Sequence, residues 1–229
     1  MYTGRTIFEQ LMDVVPKYEF RKIVEQYKGD YRAQKLTCWD QFLCMCFGQL
    51  TFSDSLRDLA STLNALGSRR YHMGIKTNVP LSTLSYANAN RPWQIYHDLA
   101  MVLIDHENNQ DIVLLTNITD CDAQQIADYY KSHWQIELFF KWIKQNLRIK
   151  AFYGQSINAV KTQIWTAICT YLIMIISHKT NHFSVSLHTM MQVLSVAILE
   201  RMTLKQLFSE ESHTEIELHD RNQLGLFDF

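Results

Sequence analysis

No two of the five cysteines (Cys38, Cys44, Cys46, Cys121 and Cys169) stand as C-x-x-C, and their number is odd. That excludes a zinc knuckle or dithiol redox motif and reads as reduced thiols of a cytoplasmic protein. No secretory leader is expected from the opening MYTGRTIFEQLMD, which mixes polar and apolar residues too early to form a signal-peptide core. Nor is there a clean membrane span. The most apolar run, IWTAICTYLIMIIS at 164–177, contains Thr166, Thr170 and Ser177 and falls short of the roughly 20 residues that cross a bilayer. It reads as a buried helix, so no membrane partner is expected. No internal repeat is visible.

What the chain does have is enough apolar sequence, 47 % of 229 residues, to build one large core or two small ones. Its net charge of −1 is unevenly distributed: residues 1–104 hold 12 Lys+Arg against 9 Asp+Glu, residues 105–202 hold 8 against 8, and residues 203–229 hold 2 against 6. The sharpest excess lies at 131–161, where Lys131, Lys141, Lys144, Arg148, Lys150 and Lys161 accompany Glu137 as the one acid. This is a basic patch on a near-neutral protein.

The first hundred residues read as almost continuous helix. Thr6 is placed to cap a short helix through Asp13, and Pro16 to open a second, PKYEFRKIVEQYK, with Phe20, Ile23, Val24 and Tyr27 on one side. Helices are expected at 37–50, at 53–66 up to Gly67, at 81–91 and at 92–104, with a polar loop from 67 to Pro80. The polar break DHENNQD (105–111) leads into IVLLT (112–116), the one convincing buried strand. Asp120 or Asp122 can cap a long helix beyond it, Ser156 another from about residue 157 to 178. A last helix, SLHTMMQVLSVAILERM, precedes an acidic tail. The expected class is mainly α, with a helical domain at 1–104, a second region at 105–202 and the tail at 203–229.

At about 100° per residue, Tyr130, His133, Glu137 and Lys144 share one stripe of the helix YYKSHWQIELFFKWIKQNLRI, with Ile136, Phe139, Phe140, Ile143 and Leu147 on the opposite side. A carboxylate on such a seam can bind a hard metal ion. It can also simply pair with Lys141 or His133 one turn away.

The spacing Tyr130, two residues, His133, three residues, Glu137, six residues, Lys144 resembles the Y(2)R(3)E(6)K signature of bacterial insertion-sequence transposases, specifically the insertion-sequence-four family. The flanking WQIELFFKWIKQNLRIKAFYG, then NAVKTQIW and the terminal LFDF, are similar to that family too. Residues 1–104 resemble the helical domain of unknown function that precedes many of these catalytic cores. The resemblance implies an RNase H-like α/β core in which two Asp and one Glu bind two Mg²⁺ or Mn²⁺ ions for in-line attack on a phosphodiester. Glu137 would be the third acid and a metal ligand. Lys144, with Lys141 beside it, would meet DNA phosphate near the transposon end, and Tyr130 would shape the same surface. His133 stands where the family has Arg, which replaces a permanent, bidentate charge with a mostly neutral ring.

The strands that should carry the two aspartates have no counterpart here. Asp98, Asp105, Asp111, Asp120 and Asp122 are the acids left, and none lies inside a buried strand. One Glu cannot hold two Mg²⁺ ions. The expectation is therefore an internally deleted transposase: helical domain joined to the remnant of the core, descended from an enzyme of metal-dependent cleavage and strand transfer, inactive in this form and binding no metal productively. The alternative is a non-enzymatic DNA-binding or oligomerising fragment that inhibits an intact transposase.

SLRDLASTLN and LSTLSYANANR have the order of a helix-turn-helix, with Ser82, Thr83, Ser85, Asn88, Asn90 and Arg91 on the second helix. Between them Arg69, Arg70, His72 and Lys76 can grip DNA phosphates, or form an ordinary solvated loop. His178 and His182, at i and i+4, lack a third zinc ligand. In the tail, Gln223, Leu224, Leu226 and Phe227 resemble the Q-L-x-L-F peptide with which bacterial proteins dock on the sliding clamp. Alternatively Leu226 and Phe229 fold back onto the core.

Overall fold

A computed structural model describes residues 4–107 and 152–208. Its elements are helices α1 (Ile7–Met12), α2 (Lys17–Gln26), α3 (Cys38–Leu50), α4 (Leu56–Ala65), a 3₁₀ helix at Gly67–Met73, α5 (Leu81–Asn90), α6 (Gln94–Glu107), α7 (Ile157–Asn181), α8 (Leu187–Ala197) and α9 (Leu204–Leu207). Among the described residues there is no strand. The IVLLT segment and the helix bearing Glu137 lie outside the described residues.

Helix starts follow local side-chain chemistry. The hydroxyls of Thr6, Ser55 and Ser156 accept hydrogen bonds from the backbone N–H of Glu9, Asp58 and Ala159 respectively, satisfying donors that the first helical turn leaves unpaired. Thr37 goes further: its hydroxyl accepts from Asp40 N–H while the Asp40 carboxylate accepts from Thr37 N–H, a reciprocal capping box.

Helix α3 is buried along almost its whole length, and α7 lies across it, packing on α6, α5 and α1 as well. One apolar cluster runs from Ile7 to Phe208, crossing the boundary expected between residues 104 and 105. Helix α7 is, among the described residues, the one long and apolar enough to cross a membrane. Its Ile168, Cys169, Ile173 and Met174 are instead buried in the protein core. Two of the hydroxyls that interrupt this run donate within the helix, Thr166 to Thr162 O and Thr170 to Thr166 O, both at 2.8 Å, whereas the buried Ser177 hydroxyl has no partner among the described residues.

The expected last helix from Ser186 to Met202 ends early, at Ala197. Its following carbonyls have another use. Ile7 N–H donates to Glu200 O and Phe8 N–H to Ile198 O, each at 3.0 Å, so the chain after α8 satisfies the open N-terminus of α1. Gln10 reinforces the join, donating to Met202 O at 2.7 Å and accepting from Leu204 N–H at 3.2 Å. Residues 203–207, expected to belong to the tail, cap and form α9 against this strap.

Candidate nucleic-acid interface

The loop between α4 and α5 separates two adjacent arginines. Arg69 is exposed. Arg70 is buried, with 8 % of its surface accessible, and donates to Leu63 O (3.3 Å), Asn64 Oδ1 (3.0 Å) and Asn78 Oδ1 (2.7 Å). Asn64 also bonds both backbone groups of Val79. This corrects the expectation that Arg70 faces phosphate: its guanidinium stitches the loop together from inside. Lys76 is exposed, and His72 is half-buried with its carbonyl accepting from the Thr6 hydroxyl.

Helix α5 divides in a similar way. Ser82, Thr83, Ser85 and Asn90 are exposed together with Tyr86, so this face presents hydroxyl, amide and phenol groups outward. Asn88 is withdrawn from it: its Oδ1 accepts from Gln41 Nε2 at 2.7 Å inside the core. Arg91 is half-buried and committed as well, donating to Gln41 Oε1 (3.0 Å) and to Leu36 O. The expectation that Asn88 and Arg91 reach bases or phosphates is corrected accordingly. Asn158 of α7 donates to Asn88 O and Arg91 O, which fixes α5 on the start of α7.

The segments that build this face carry no acids of their own, although Asp54 and Asp58 at the start of α4 lie near Tyr153, which shares a cleft with Ser85 of α5. None occurs between Asp58 and Asp98, nor from residue 152 to 199, and these stretches supply the 3₁₀ helix, α5, α7 and α8. The absence was legible in the sequence but takes effect only because α5 and α7 pack together. Lys161 of α7 lies over the Trp93 ring, Nζ 4.4 Å from its centroid, and Trp93 stacks on Trp165 at 6.5 Å.

The acids considered as catalytic partners give no metal site among the described residues. Asp98 sits on α6 with its oxygens engaged, one by Tyr27 OH and the other by His97 Nδ1, both at 2.7 Å. Asp105 lies near the end of α6, exposed. No three His, Cys, Asp or Glu side chains among the described residues converge to hold an ion, so these residues do not fit a divalent-metal pair. His178 Nε2 is hydrogen-bonded to Val185 O at 2.7 Å, and His182 closes α7 in a left-handed conformation. Burial pushes the Cys38 and Cys46 thiols up to about 12, as suits inert core thiols rather than nucleophiles. Tyr130, His133, Glu137, Lys141, Lys144, Asp111, Asp120, Asp122, Gln223, Leu224, Leu226 and Phe227 lie outside the described residues.

Residues 3–76 match the family model described as domain of unknown function DUF4372. Over 103 residues, 45 % of this chain and 29 % of the relative, the sequence is 34 % identical to a protein of Sinorhizobium fredii named as a transposase, y4zB. It is 35 % identical over 74 residues, 32 % of this chain and 20 % of the relative, to the transposase named for insertion sequence element IS5377 of Geobacillus stearothermophilus. A third relative, named for element IS4SA of Synechocystis, is 31 % identical over 115 residues, 47 % of this chain and 34 % of its own length. The chain thus spans about a third or less of these curated relatives. No solved structure matches. By sequence, then, this chain is similar to transposases of insertion sequences over part of their length and matches the DUF4372 model over residues 3–76.

Proposed function

We propose that this chain binds the DNA ends of an insertion sequence and does not cut them: a transposase by descent, joined from the helical domain and the remnant of an RNase H-like core. The observation that carries the reading is the segment 59–97, which holds no acid and exposes Arg69 and Lys76 in the loop and Ser82, Thr83, Ser85 and Asn90 on α5. Exposed cations without competing carboxylates release counterions from DNA, and short polar side chains suit contacts to phosphate and base edges. The lack of catalysis is supported by the commitment of Asp98 to Tyr27 and His97. Glu137, with Tyr130, His133, Lys141 and Lys144 around it, keeps its role from the family resemblance as a metal- and DNA-facing helix that lacks two aspartate partners.

A chain that binds ends without cleaving them inhibits an intact transposase by occupying its sites or its partner subunits. The test is Mg²⁺- or Mn²⁺-dependent nicking of a duplex bearing the element's ends, beside binding of the same duplex. Binding without nicking, unchanged by Glu137→Ala, is the expected result. Nicking that disappears in Glu137→Ala would show that other acids complete the site and would overturn the non-catalytic reading.

A further inference from the structure

Two cations occupy backbone positions that favour glycine. Lys28 (φ 51°) and Arg32 (φ 61°) are both left-handed. At the end of α2, Gly29 N–H donates to Val24 O (2.9 Å) and Lys28 N–H to Glu25 O (3.1 Å). This is the double closure in which the left-handed residue is ordinarily Gly. The glycine stands one place later for a separate reason: a Cβ at Gly29 would collide with Ile95 and lie 2.7 Å from Cys38 Sγ. Packing therefore fixes Gly29, but no buried contact explains a lysine at 28. Arg32 repeats the pattern in the next turn, which Ala33 N–H closes on Asp30 O at 2.9 Å.

Both side chains are exposed, as is that of Lys35. Among the described residues none of the three has a carboxylate within ion-pair distance. Two acids share the cleft beside Lys28: Glu25, which faces Arg21 at 3.9 Å, and Asp30, one of whose oxygens accepts from Cys38 N–H at 2.6 Å. The Arg32 guanidinium lies 5.1 Å over the ring of the exposed Tyr31. This turn is also tied to the loop described above, since the Thr77 hydroxyl donates to Lys35 O at 3.0 Å, next to Lys76. A left-handed residue with a branched or long side chain is retained against an easier glycine where the side chain has work to do.

We infer that Lys28, Arg32 and Lys35 form a second contact for DNA phosphates, extending the Arg69–Lys76 loop around the molecule through the Thr77–Lys35 bond. This rests on the DNA-binding reading above. It is a sequence-independent contact, because cations meeting phosphate carry it.

The test uses the full chain, a random-sequence DNA duplex and the substitutions Lys28→Gly and Arg32→Gly, singly and together. Glycine relieves the backbone, so Tm should hold or rise by about 2 °C for each. Affinity should fall, and the slope of log affinity against log salt should flatten by about one for each cation removed. Wild-type affinity and slope in the double variant would overturn the inference. So would a lower Tm, which would give these side chains a structural role. Arg69→Ala with Lys76→Ala separates the two readings: if that pair flattens the slope and the glycine variants do not, this inference alone fails. If neither set does, the DNA-binding reading fails with it.

Discussion

The cations of residues 5–22 and those of residues 28–76 live in opposite surroundings. Arg5 pairs with Glu9 and Asp13, Lys17 with Asp13, Arg21 with Glu25 and Lys22 with Glu19. Lys28, Arg32, Lys35, Arg69 and Lys76 have no carboxylate partner among the described residues, and Arg70 is buried among amide oxygens. The same two residue types thus serve three ends in one domain: neutralised surface, open surface and interior strut. Charge counted by segment cannot separate these, because the distinction is one of neighbours in space.

The comparison is sharpened most by the two adjacent arginines. Arg70→Ala should lose about 3 kcal/mol of stability in urea unfolding, because three hydrogen bonds from a charged donor vanish and the space of a buried side chain is emptied. Arg69→Ala should stay within about 0.5 kcal/mol of the parent. Equal losses would mean that the loop does not divide them as described. Next in size, Gly29→Ala should cost about 2 kcal/mol, since the new methyl must displace Ile95 or Cys38. An unchanged midpoint would show that the contact is loose and would weaken the case that packing fixes glycine there.

A smaller effect is expected at Asn88→Ala, about 1.5 kcal/mol from an unpaired Gln41 amide in the core, with no change in the salt slope of DNA binding. A flattened slope would return Asn88 and its helix to direct DNA contact. The smallest effects belong to the paired face. Lys22→Ala should change stability by less than about 0.5 kcal/mol and leave the salt slope unchanged. A flattening as large as that of Arg69→Ala with Lys76→Ala would erase the distinction between the faces. For the tail, clamp docking through Gln223, Leu224, Leu226 and Phe227 remains a proposal, and loss of sliding-clamp recovery in Phe227→Ala is the outcome that supports it.

The starts at Thr6 and Ser156 were legible because their causes are local, while the helix expected from residue 53 begins only at Leu56, after Ser55. Thr6, Thr37, Ser55 and Ser156 stand within three residues of the N–H groups they cap. The fate of Arg70 was not legible, since its partners become available only when Asn64 and Asn78 converge on it. Asn88 reads as a surface amide until Gln41, 47 positions earlier, is placed against it. The early end of α8 is the same lesson at longer range: ILERM is acceptable helix sequence, but Ile198 and Glu200 bond to α1 instead. The segment around Glu137, whose spacing carries the family resemblance, lies outside the described residues.

The strap from Ile198 to Leu204 across α1 has a consequence in time. A ribosome releases α1 about 190 residues before Ile198, so the N–H groups of Ile7 and Phe8 remain without their native partners until that later segment emerges. Helix α7, which covers α3 and α6, also emerges late. The domain therefore completes its fold only after the segment from Ile198 to Leu204 has been made. A ribosome that stops anywhere before residue 198 leaves a helical half without its closing piece, whereas removing sequence between α6 and α7 leaves both halves of that closure intact.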